Sequence, residues 1–80
     1  MTRQETLAKI GEILGDLTDQ DNLQLTEETT AEQVKNWDSV NHVRLLLALE
    51  MELDVHFETD EVRDLKDVGS LLDIIEQKRG

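Results

Sequence analysis

The chain has 80 residues, 19 acids against 8 bases, a net charge of −11 with histidine neutral, and neither cysteine nor proline. Such a length suits one domain around one small core and leaves no room for a large enclosed substrate cavity. The charge argues against nucleic acid or an anionic membrane as main partner, because both repel an acidic surface; it favours basic protein partners.

Without cysteine there is no disulfide and no thiolate zinc site, which is compatible with a cytoplasmic location. Residues 1–17 interleave Arg3, Glu5, Lys9, Glu12 and Asp16 with apolar positions, so no signal peptide is expected. The longest apolar run, Leu45 to Leu49, is far too short to insert in a membrane. One domain over 1–80, monomeric, is the expectation.

In chain order, the spacing predicts a first helix from Arg3 to Leu17, with Leu7, Ile10, Ile13, Leu14 and Leu17 on one face. Thr2 and Glu5 have the spacing of a capping box. Gly11 and Gly15 weaken the helix; they allow close packing or mark a fraying end near Gly15. Residues 18–37 form a long polar connection through Thr18, Asp19, Gln20, Asp21, Asn22 and Thr26 to Thr30, with Leu23, Leu25 and Val34 as aliphatic anchors. A connection of that length in a small domain calls for an explanation. Ala31 to Lys35 is long enough for one helical turn.

The second helix is expected from Asp38 to Leu53. Val40, Val43, Leu46 and Leu47 trace one stripe, and Leu45, Leu49 and Leu53 an adjacent one. Together they are wider than a core face needs, so part is available to a partner. Residues 54–57 read as an extended link. Thr59 is expected to cap a short helix from Asp60 to Leu65 that presents Val62 and Leu65. The last helix is expected from Ser70 to Lys78, with Val68 stapled before its cap and Lys78 and Arg79 at its end, where cations complement the helix dipole. No strand signal appears. The predicted fold is all-α: a small four-helix bundle of three main helices and one short one, with a long first loop.

Three chemical readings fail on the residues. Asp19-Gln20-Asp21-Asn22 opens like a calcium loop, but Leu23, Gln24 and Thr30 occupy the fifth, sixth and twelfth positions. Asp38 and His42 share a helix face, yet two ligands make no metal site. Asp38, Ser39 and His42 are the residue types of a hydrolytic triad, but the aspartate adjoins the serine and no glycine opens the backbone for an oxyanion hole. No catalytic residue is assigned, and no enzyme is expected.

Trp37-Asp38-Ser39-Val40 remains. Either Asp38 or Ser39 makes a good N-cap, which by itself is structure without chemistry. A serine at a helix N-terminus is also presented where free N–H groups and the dipole favour a phosphate. This stretch resembles the acyl carrier protein family, whose hallmark is Asp-Ser-Leu at the start of the second helix. The likeness continues through Asn41-His42-Val43-Arg44-Leu45, Ala48-Leu49-Glu50, Leu53, Phe57, Asp60-Glu61-Val62, Leu65 to Val68 and Leu71 to Ile75.

The resemblance implies a stand-alone carrier. Ser39 would bear a covalent 4'-phosphopantetheine arm, installed from coenzyme A by a phosphopantetheinyl transferase that uses a divalent metal. Asp38 would cap the helix and contact that transferase. Acyl groups would ride on the arm as thioesters between acyl-loading and acyl-processing enzymes of fatty-acid, lipid or specialised-metabolite synthesis. Val40, Val43, Arg44, Leu47, Glu50 and Met51 are the partner-facing candidates. Val40 stands where the family has leucine, and Arg44 and Met51 where many fatty-acid carriers have acids, which implies a specialised carrier. An aminoacyl or peptidyl carrier of the same fold and a plain helical interaction module are the alternatives.

Overall fold

A computed structural model describes residues 2–21, 23–63 and 65–79; Asn22, assigned above to the polar connection, and Asp64, assigned to the short helix, lie outside them. Helix α1 spans Arg3–Leu17, α2 Ser39–Leu53, α3 Thr59–Arg63 and α4 Val68–Arg79. No strand occurs among the described residues. The architecture is the expected bundle of three main helices and one short one.

Helix α1 starts as its sequence dictates. Thr2 Oγ1 accepts from the Glu5 N–H at 3.1 Å, and the Glu5 carboxylate accepts from the Thr2 N–H at 2.8 Å. Its apolar face buries Ile10, Ile13 and Leu14. The helix does not fray at Gly15. It runs to Leu17 and closes with the Gln20 N–H donating to the Gly15 carbonyl at 2.8 Å, Asp19 taking a left-handed φ of 58°. A Cβ on Gly15 would lie 2.9 Å from the Gln20 carbonyl oxygen, so the returning chain requires a glycine there.

Residues 18–21 and 23–37 form a fastened strap. Gln20 Nε2 donates to the Lys35 carbonyl and to Thr18 Oγ1, both at 2.9 Å. The carbonyls of Thr29 and Glu27 accept the N–H groups of Val68 and Gly69 at 2.9 and 2.8 Å. Those are amides of the first turn of α4, which have no partner within their own helix. Leu23 and Leu25 pack at the edge of the core and Val34 is buried in it. Ala31–Gln33 forms a single 3-10 turn. This explains the unusual length: the strap caps α4 and covers the core between α1 and α2.

Three boundaries differ from the sequence expectation. Helix α2 begins at Ser39, with Asp38 as its cap. Helix α3 begins at Thr59, because the Glu61 carboxylate reaches back to the Glu58 N–H at 2.7 Å and places the start one residue earlier. Leu65 lies beyond its last described residue, half-buried. Helix α4 begins at Val68, two residues early, because Asp67 takes the cap by accepting from the Ser70 N–H at 2.9 Å. Val68 is thereby inside the helix and fully buried.

The core unites Ile10 and Leu14 of α1, Leu45, Leu49 and Leu53 of α2, Val62 of α3 and Leu71, Leu72 and Ile75 of α4. Each such side chain contributes about 1.5–3 kcal/mol of burial. Polar ties fix the helix ends. Arg79 Nη1 donates to the Leu53 carbonyl at 2.6 Å, closing α2, and Lys78 pairs with Glu61 at 2.7 Å, joining α4 to α3.

Candidate functional site

The site is built where the strap turns into α2. Asn36 adopts a left-handed φ of 67°, a conformation asparagine tolerates better than most residues. Its carbonyl accepts from the Asp38 N–H at 3.0 Å and from Asn41 Nδ2 at 2.8 Å. This tight corner delivers Asp38 in an extended conformation, and its carboxylate accepts from the Asn41 N–H at 2.9 Å. The Asp38 carbonyl accepts from the His42 N–H at 2.8 Å.

Asp38 is therefore the cap, and Ser39 is the first helical residue. Ser39 is exposed, and its hydroxyl has no hydrogen-bond partner among the described residues. The N–H groups of Ser39 and Val40 are likewise unpartnered there. A free hydroxyl stands beside two free amide donors at the positive end of a helix of 15 residues.

Behind Ser39 a groove of about 440 Å³ opens between α2, α3 and the end of the strap. Its wall is mainly apolar: Trp37, Val43, Leu46, Val62 and Leu65, with Ser39 at the rim. That volume falls within the range of small-ligand pockets. A larger hollow, about 530 Å³, lies between α1 and residues 20–21 and 23–25 and shares no residue with this groove. It has no part in the chemistry of Ser39.

His42 was considered above as metal ligand and as base. Trp37 Nε1 donates to His42 Nδ1 at 3.2 Å, and His42 Nε2 lies 2.9 Å from the Val62 carbonyl. The indole can only donate, so Nδ1 accepts and Nε2 carries the proton. His42 is thus a strut between α2 and α3, with neither nitrogen left for Ser39 or a metal. Among the described residues no three metal-ligating side chains converge.

The partner-facing candidates divide. Val40, Val43, Leu47 and Met51 are 59%, 55%, 55% and 85% exposed. Arg44 is exposed beside them. Leu46, assigned to the same stripe, turns inward to the groove. Glu50 is committed elsewhere: its carboxylate accepts from the Phe57 N–H at 2.8 Å and lies 3.3 Å from His56 Nδ1, holding the link after α2. Sequence reasoning missed that tie, and it missed Asn36. The asparagine just ahead of the Trp-Asp-Ser stretch was the available signal for the corner.

No protein-family model matches the chain. Over 78 residues it is 33% identical to an acyl carrier protein of Thermosynechococcus vestitus, covering 98% of this chain and 96% of that protein. The fold is similar to the solution NMR structure of the holo acyl carrier protein from Geobacter metallireducens: TM-score 0.81, 35% identity, 92% of this chain and 85% of that one covered. A relative of that identity over nearly its full length, together with the similar fold of the solved structure, places this chain in the acyl carrier protein family.

Proposed function

We propose that Ser39 is the attachment residue of a carrier that holds acyl groups as thioesters for separate enzymes, catalysing nothing itself. One observation carries this reading: Asp38 does the capping, which leaves the exposed Ser39 hydroxyl without a structural role. A serine needed only as a cap would be bonded as Asp38 is.

The residues present fit a 4'-phosphopantetheine arm. The free amides of Ser39 and Val40 and the helix dipole favour a phosphodiester on the Ser39 oxygen. Such an arm supplies a terminal thiol on which acyl groups ride. Asp38 holds the first turn in place and offers its carboxylate to the transferase that installs the arm from coenzyme A. The apolar groove beside Ser39 shelters a short or medium acyl chain, with Val62 and Leu65 on one side and Val43 and Leu46 on the other. The locked His42 supports a carrier over a hydrolase, since it leaves no base for Ser39. Loading and processing enzymes of acyl metabolism in the cytoplasm are the partners that go with this reading.

The test is an intact mass after incubation with coenzyme A, magnesium and a broad-specificity phosphopantetheinyl transferase. The expected outcome is a gain of one arm, abolished in Ser39→Ala. An unchanged wild-type mass, or a gain retained in Ser39→Ala, rejects the assignment.

A further inference from the structure

The hollow beside α1 plays no part in the carrier reading. Its helical wall runs from Gln4 to Asp16 at alternating spacings of three and one, so a single face of α1 lines it for about 18 Å. Residues 20–21 and 23–25 of the strap form the other wall. Leu7, Ala8, Leu23 and Leu25 give it an apolar floor. Gly11 keeps that floor open. A Cβ on Gly11 would meet only Leu23 and Leu25 of the strap, at 3.6 to 3.9 Å, so the fold has room for a side chain there. Glycine inside a helix is costly against alanine. Packing does not demand that cost at Gly11; what the glycine provides is unfilled space between α1 and the strap.

The rim of the hollow is acidic and uncompensated. Glu12 and Asp16 stand on the α1 side and Asp21 on the strap side, and no lysine, arginine or histidine lines it. Asp16 and Asp21 are exposed and pair with no cation among the described residues. Glu12 has only Lys9, at 3.9 Å, and that ammonium lies closer to Glu52, at 3.4 Å. Other acids are tied into the fold: Arg3 holds Glu27, Asp73 and Glu76, and Lys78 holds Glu61. The three rim carboxylates do not gather on one point, since among the described residues no three metal-ligating side chains converge. They suit cations spread along a length better than one metal ion.

We propose that this hollow docks a basic amphipathic helix of a protein partner, its small apolar face over Gly11 and its cations against Glu12, Asp16 and Asp21. Helix axes approach to about 8–10 Å according to the side chains at the contact, and Ala8 and Gly11 allow the near end of that range. Lysines or arginines four residues apart on the partner match the spacing of Glu12 and Asp16. The charge of −11 that draws a basic partner from a distance is thus used at contact. A second copy of this chain brings the same excess of acids and is repelled. Docking here does not rest on the carrier reading, because the hollow shares no residue with the Ser39 groove. If both hold, one protein can retain the carrier while another works on its arm.

The test uses two synthetic amphipathic helical peptides with the same alanine and leucine face, one with lysines and one with glutamates at every fourth position. Each is titrated into isotopically labelled protein at physiological salt and followed by NMR. The lysine peptide is expected to shift the amides of Leu7, Gly11, Asp16 and Leu25, to leave those of Ser39 and Val40 in place, and to bind about tenfold more tightly than the glutamate peptide, as several exposed ion pairs together allow. Gly11→Leu, which fills the hollow, is expected to abolish binding. The double variant Asp16→Lys and Asp21→Lys, at exposed positions, is expected to weaken it about tenfold; it decides the matter if Gly11→Leu lowers the urea midpoint. Equal binding of the glutamate peptide, shifts that map to α2, a folded variant that binds like wild type, or no binding of either peptide overturns the proposal. So do the same shifts with magnesium chloride at matched ionic strength, or a concentration-dependent dimer that uses this face. The mass assay is read separately: peptide binding without loading of Ser39 keeps the hollow and rejects the arm, and loading without peptide binding does the reverse.

Discussion

Asp38 and Ser39 are both residue types that cap helices, and the fold gives that role to one of them. Asp38→Ala is expected to lower stability by about 1 kcal/mol, the usual cost of a lost cap, read from the denaturation midpoint. Ser39→Ala, at an exposed position with an unbonded hydroxyl, is expected to change it by less than about 0.5 kcal/mol. A large loss in Ser39→Ala would return the serine to a structural role. His42→Ala strands the Trp37 N–H and the Val62 carbonyl. A loss of about 1–3 kcal/mol with altered Trp37 fluorescence is the expected outcome. The Trp-Asp-Ser stretch was legible as a helix start from its residue types, and as a candidate site through its resemblance to the acyl carrier protein family. The duties of His42 and Glu50 were not, because their partners Val62 and Phe57 lie 20 and 7 residues away.

At the level of elements, the helices were readable where local rules act alone. The capping box of Thr2 and Glu5 and the buried stripe of Leu45, Leu49 and Leu53 follow from spacing. The start of α4 did not, because Asp67 outcompetes the expected cap and the strap carbonyls of Glu27 and Thr29 take the first amides. The two glycines of α1 separate propensity from packing. A Cβ on Gly11 meets its nearest neighbour, the Leu23 carbonyl oxygen, at 3.6 Å, an ordinary contact. Gly11→Ala is therefore expected to stabilise by about 0.5–1 kcal/mol, the gain in helix propensity. On Gly15 the same atom stands 2.9 Å from the Gln20 carbonyl oxygen. There the clash outweighs propensity, and Gly15→Ala is expected to destabilise by about 1–3 kcal/mol. Urea denaturation of both variants checks the opposite signs.

For the whole molecule, ion pairs join elements that the sequence keeps far apart. Arg3 pairs with Glu27 and Glu76 at 2.7 Å and with Asp73 at 3.0 Å, linking α1, the strap and α4. The Arg3 guanidinium holds the Glu27 carboxyl below its ordinary 4.5, and the Lys78 ammonium with the Glu58 N–H does the same for Glu61. A carboxyl whose folded value is depressed leaves the unfolded chain to bind protons first as pH falls. Its contribution is whole above about 4.5 and is lost as pH drops through the folded value. The stability difference between wild type and Arg3→Met is thus expected to be flat above about pH 5.5 and to shrink below 4.5. Urea titrations of both proteins across that range measure it. A difference that grows on acidification would contradict the assigned sign.

By itself, the sequence determined the helical class, the main helix bodies and the stretch offered as the candidate site, because periodicity, caps and a helix start depend on neighbours within a few positions. Tertiary structure alone decided that the long connection is a strap and that His42 is a strut. It also decided which apolar side chains of α2 stay outside, leaving Arg44 among them. Those outcomes depend on which distant carbonyl, carboxylate or side chain arrives beside each residue, and only the packed chain brings them together.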